Sequence, residues 1–136
     1  MRRGLWLSVL AALMGTCTLF ADLQLTFDER VEAQRAIERV YYQHQIWPKD
    51  NPEPKPSFEK AVSEDILRQK VENYLLKAMA LQEFWDHTLT AEDLQQELNR
   101  ISRETRNPRM LKDLFDALNN NPRTIAECIA RPILTE

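Results

Sequence analysis

Two observations predict an all-α fold for this 136-residue chain. Its only glycines are Gly4 and Gly15. Nothing after residue 15 can therefore form the Asn-Gly, Asp-Gly or Gly-Gly turns that tight β-hairpins favour. Helix-start signatures also recur along the chain: a Ser, Thr or Asn is followed by acidic residues or proline, then by apolar residues three and four apart. Together these features predict a small bundle of four to five helices, preceded by a signal-peptide helix.

The N-terminus reads as that leader. Met1-Arg2-Arg3 is cationic, and Gly4 to Met14 is an apolar run. Gly15 to Ala21 then brings small residues and a cleavage position after Ala21. The apolar run is shorter than the roughly 20 residues a membrane span needs. The alternatives are an uncleaved anchor or lipid attachment at Cys17, for which Thr16 is an unusual preceding residue. Twin arginines and no acidic residue before Asp22 fit export through a bacterial inner membrane. The expected location is periplasmic or extracellular, with no stable membrane span once the leader is cut.

Cleavage leaves residues 22–136, a single domain able to bury about two-thirds of its unfolded surface. The leader holds two of the 18 basic residues and none of the 21 acidic ones, so the mature net charge is −5. An acidic chain with interspersed signs argues against nucleic acid as a partner. Cys128 is the only cysteine after the leader, so no internal disulfide can form and an apolar core must hold the fold. Its place between Ile125 and Ile129 marks it as a buried structural thiol.

Each helix has its own signal. Thr26-Phe27-Asp28-Glu29 is a capping box for a first helix running to about Gln45. Phe27, Val31, Ile37, Val40, Tyr41 and His44 form its apolar stripe. Trp47-Pro48 ends it, and residues 48–56, with Pro52, Pro54 and Pro56, form an extended connector. This connector is expected to let the first helix stand off from the rest. Ser57 or Ser63 caps a long helix from about Glu64 to Trp85. Its apolar face is wide, which predicts burial by more than one neighbour. Thr90-Ala91-Glu92-Asp93 caps the next helix. Asn107-Pro108 and Asn121-Pro122 start the last two, each with Asn as cap and Pro at the first helical position. Asn119 to Asn121 breaks the chain between them.

Little in the sequence can carry catalysis. The two histidines, His44 and His87, lie in different elements, and no His-x-x-x-His or Cys-x-x-Cys spacing exists. No metal site and no catalytic residue is therefore assigned. The acidic pairs Asp28-Glu29, Glu64-Asp65 and Glu92-Asp93 fall in first turns, where they complement the helix dipole. Without glycine no phosphate-cradling loop can form, and no cofactor is expected. The aromatic residues stand out. Tyr41, Tyr42 and Trp47 cluster at the exit of the first helix, and Phe84 and Trp85 at the exit of the long one. Adjacent aromatic residues point about 100° apart on a helix, so one of each pair is expected to face outward. With Met79 they are the candidate client-binding residues. A cleft lined by Tyr42, Trp47, Met79 and Phe84 is the expected form of the site.

The order of elements resembles a known family. Arg35-Ala36-Ile37-Glu38-Arg39-Val40 in the first helix precedes a long apolar helix ending in Leu81-Gln82-Glu83-Phe84-Trp85. Leu89-Thr90-Ala91-Glu92-Asp93-Leu94-Gln95-Gln96-Glu97-Leu98 and the basic, polar stretch Ile101 to Arg106 follow. This pattern resembles the helical N-terminal chaperone region of exported SurA/PrsA-type peptidyl-prolyl isomerases, best over residues 64–118. The resemblance implies ATP-independent binding of unfolded or extended polypeptides, outer-membrane or secreted proteins among them. The glycine-rich, histidine-containing parvulin strands have no counterpart here, so the sequence reads as a shortened member. Isomerase activity would follow only from family association. The competing expectation is an exported interaction module that docks on one partner through the first helix.

Overall fold

Helix caps set the element boundaries of the computed structural model, which describes residues 24–136. The leader read in residues 1–21, Cys17 included, lies outside the described residues. The chain forms α1 (Phe27–His44), α2 (Phe58–Ala61), α3 (Glu64–Trp85), α4 (Ala91–Glu104), α5 (Pro108–Ala117) and α6 (Pro122–Ile125). A π-turn (Ala126–Ala130) joins α6 to α7 (Arg131–Leu134), making one continuous C-terminal run. No strand occurs among the described residues. The fold is all-α, a small bundle in which the one-turn α2 is an addition to the expected helices.

The caps act through orphan backbone donors at each helix start. The Thr26 hydroxyl accepts from the Glu29 amide at 3.2 Å, and the Glu29 carboxylate accepts from the Thr26 amide at 2.7 Å. Thr90 and Asp93 repeat this box at 3.2 and 2.8 Å. Ser63 caps α3, its hydroxyl accepting from the Ile66 amide, whereas Ser57 precedes α2 without a side-chain cap bond. Asn107 and Asn121 cap α5 and α6 through their side-chain oxygens, each with proline at the helix start. Helix exits without glycine fall to the residue types that best tolerate left-handed backbone. Asp86 (φ 50°) ends α3, and Asn119 (φ 56°) and Asn120 (φ 52°) follow α5.

The first helix is central. One flank of α1 places Ala33, Ile37 and Val40 against Leu114 and Leu118 of the α5 region and Ile125, Cys128 and Ile129 of the C-terminal run. The other flank places Val31 against Leu67, Val71 and Tyr74 of α3. The stand-off expected from the prolines is therefore corrected. The proline-rich connector folds back on the exit of α1 and ties it down. Lys55 donates to the Tyr42 and Gln45 carbonyls at 2.6 and 3.0 Å, and its ammonium lies 4.0 Å from the centre of the Tyr42 ring. Trp47 donates through Nε1 to the Glu53 carbonyl at 2.9 Å. At the same end, His44 Nε2 meets Asp113 Oδ2 of α5 at 2.9 Å.

A second expectation is corrected on α3. Its width predicted burial on several sides, yet only Leu67, Val71 and Tyr74 are buried. α1 and α3 cross: Asp28 and Arg35 reach Arg68 and Glu64 on one side of the crossing, and Arg30 and Glu38 reach Tyr74 and Lys70 on the other. Residues of α3 beyond Tyr74 lie past this crossing, about 16 Å of helix at 1.5 Å per residue.

The C-terminal run continues through Pro132. Proline in a helix loses a hydrogen bond and crowds the carbonyl four residues back, here that of Cys128. That carbonyl lies within the π-turn, where the Arg131 amide reaches back five residues to the Ala126 carbonyl. The wider turn relieves the crowding and lets three consecutive residues, Cys128, Ile129 and Ala130, all be buried.

Two outcomes follow. Leu67 is fully buried, so Leu67→Ala should lower stability by about 2–5 kcal/mol in urea denaturation. Amide exchange should be slow from Val31 to Val40 and fast from Leu76 to Trp85. Equal protection of the two segments would contradict the packing of α1 between α3 and α5.

Candidate functional site

Among the described residues, exposed large apolar side chains concentrate on the far half of α3. From Leu75 to Trp85 it is apolar on nearly every side, with only Lys77, Gln82 and Glu83 polar. Leu76 is 56% exposed, Met79 65%, Phe84 75% and Trp85 69%. Phe84 and Trp85 pack edge to face, ring centres 6.0 Å apart, and do not fold back on the core. A helix apolar all round is ordinarily a buried one. Exposed apolar side chains concentrated on one helix end are the kind of surface that interaction sites use.

Beside it lies a groove of about 670 Å³. Leu75, Ala78 and Met79 of α3 form one wall, and Leu89 and Leu94 around the start of α4 form another. The floor is polar. Arg30 of α1, 8% exposed, pairs with Glu127 of the π-turn at 2.9 Å. It also donates to the Leu25 carbonyl at 3.3 Å and lies 3.5 Å from the Tyr74 hydroxyl. Arg131 grips the same Glu127 carboxylate with two bonds of 2.8 Å, the bidentate geometry that guanidinium favours. Arg123 stands on the rim, exposed.

Burial pushes against ionisation of Glu127, but the hydrogen bonds from Arg131 and Arg30 outweigh it and hold its carboxyl below the ordinary 4.5. The Tyr74 hydroxyl is pushed up, first by burial. Burial likewise raises the Cys128 thiol to about 11. A thiol so placed is a poor nucleophile at neutral pH.

The expected site residues divide into two groups that share no cavity. Met79, Phe84 and Trp85 sit together on the far half of α3, and Met79 lines the groove. Tyr41, Tyr42 and Trp47 lie at the other end of α1. Twelve residues separate Arg30 from Tyr42, about 18 Å of helix. Tyr41 is 46% exposed, whereas Tyr42 is half-buried, edge-on to Phe58 at 5.7 Å, with its hydroxyl donating to the Pro56 carbonyl. A single cleft joining Tyr42 and Trp47 to Met79 and Phe84 is therefore not formed. The outward member of the first pair is Tyr41, and in the second pair both rings face outward. Sequence reasoning passed over Leu76 and the Arg30, Glu127 and Arg131 cluster. The four-residue spacing of Glu127 and Arg131 was a legible signal; their meeting with Arg30 was not.

Among the described residues no three His, Cys, Asp or Glu side chains converge as metal ligands. No described helix is long and apolar enough to cross a membrane. No protein-family model matches the chain, no curated protein matches it in sequence, and no solved structure matches it. The SurA/PrsA resemblance thus rests on the residue pattern alone.

The Glu127 pairing predicts an acid-sensitive fold. Between the lowered folded value and 4.5 the unfolded chain binds more protons, so stability rises with pH there and is lost below it. Glu127→Gln should cost about 2 kcal/mol at pH 7 and flatten this acid limb. An unchanged acid limb in urea denaturation of the variant would refute the assignment.

Proposed function

We propose that the mature chain is an exported, ATP-independent chaperone-like domain that holds unfolded or extended polypeptide segments against the far half of α3 and its groove. One observation carries this reading: Leu76, Met79, Phe84 and Trp85 are exposed together on one helix whose other half is firmly anchored. Apolar, aromatic and methionine side chains accept varied apolar segments without demanding one sequence. The SurA/PrsA-like order of elements and the export leader read from the sequence point the same way. Docking on a partner through α1 has less support, because both flanks of that helix pack against neighbours.

The test is suppression of aggregation. The chain beginning at Asp22, without ATP, should keep an unfolded β-barrel protein soluble in a light-scattering assay. Substituting Met79 and Phe84 together by Ala should weaken that protection severalfold. The melting midpoint should barely move, since exposed positions change stability by about 0.5 kcal/mol or less. Full protection by the double variant would remove the far half of α3 from the mechanism.

A further inference from the structure

The charge of the groove is more specific than its apolar walls. Among the described residues, four charged side chains line it: Arg30, Arg123, Arg131 and Glu127. Three guanidiniums face one carboxylate, an excess of two positive charges. Both Glu127 oxygens are already engaged, Oε2 by Arg30 and Arg131 and Oε1 by Arg131. Among the described residues Arg123 meets no carboxylate, and it stands at the rim where an incoming segment would pass. This local excess belongs to a chain that is acidic overall, with 21 acidic against 18 basic residues.

We infer that the groove selects polypeptide segments in which an acidic side chain lies within an apolar stretch, the apolar residues packing on Leu75, Met79 and Leu89 and the carboxylate meeting Arg123. The inference rests on the polypeptide-binding reading above and names the chemistry of its client. A guanidinium on an apolar rim provides the match, since carboxylates pair with it by charge-assisted hydrogen bonds. A general polyanion is disfavoured, because the chain as a whole is acidic and repels it.

The experiment uses fluorescent apolar peptides, blocked at both ends, that differ only in a central Glu, Gln or Lys. Anisotropy titrations with the chain beginning at Asp22 should rank them Glu, then Gln, then Lys. The Glu peptide should bind about fivefold tighter than the Gln peptide, and high salt should erase the difference. Arg123→Glu, an exposed change with no partner to lose among the described residues, should reverse the order of Glu and Lys. Equal affinities for the three, or an order that Arg123→Glu leaves unchanged, would overturn the inference while leaving the client-binding proposal standing. If no peptide binds and aggregation suppression is also absent, both fall. A dimer that dissociates on Arg123→Glu would give the groove to a second copy and overturn the inference. Binding that appears only once residues before Gln24 are removed would give the groove to the chain's own N-terminal segment and overturn it equally.

Discussion

The buried ion pair between Arg30 and Glu127 is the contact on which the arrangement depends. It joins the first helix to the π-turn near the end of the chain, 97 residues apart, at 2.9 Å. A guanidinium taken out of water must be paired, and an unpaired one costs several kcal/mol. Arg30 is satisfied only where Glu127, the Leu25 carbonyl and the Tyr74 hydroxyl converge. That convergence fixes how far α3 has advanced when it crosses α1. The part of α3 beyond Tyr74 lies past the crossing, with Arg30 as its α1 neighbour across the groove. The groove and the exposed apolar end are geometric consequences of this registration.

A second constraint is the lack of glycine after residue 15. Helix ends must be made by other means, and each solution leaves a trace. Asn119, Asn120 and Asp86 take the left-handed positions, and Lys55 hydrogen-bonds the last carbonyls of α1. The C-terminal run ends no earlier than Leu134, because a π-turn accommodates Pro132 where an α-helix would kink or stop.

Local chemistry was legible in the sequence and long-range placement was not. The capping boxes at Thr26 and Thr90 and the Asn-Pro starts at Asn107 and Asn121 depend on residues within three positions, and the helices begin where they indicate. The fate of apolar residues depends on partners far along the chain. The wide face of α3 counts apolar side chains without saying which have neighbours, so Leu67 and Phe84 look alike in sequence and end at opposite extremes of burial. The prolines of the connector predicted an extended backbone, but it turns at Lys49 and Asp50, where the Asn51 amide donates to the Pro48 carbonyl at 3.3 Å, and its direction is set by Lys55 and Trp47 finding carbonyls that periodicity cannot foresee. Of the six candidate binding residues, those on α3 are all exposed on the helix's far half, whereas Tyr42 and Trp47 became part of the tie that holds the connector.

The charges at the groove divide by role, and that division bears on how binding could coexist with stability. A client carboxylate approaching Arg30 or Arg131 would compete with Glu127 for guanidiniums that hold the core together. Glu127 is held by three close contacts from those two arginines, so displacing it would cost more than one new contact returns. Arg123 has no such duty among the described residues and can meet a carboxylate without loosening α1. On the proposed reading, the buried arginines set the register of the helices, and the rim arginine is left to discriminate among clients. The anchored half of α3, with Leu67 and Val71 fully buried, fixes where the end carrying Met79 and Phe84 emerges. On the proposed reading, that exposed end orders fully only when a client covers it, and the ordering takes part of the contact energy.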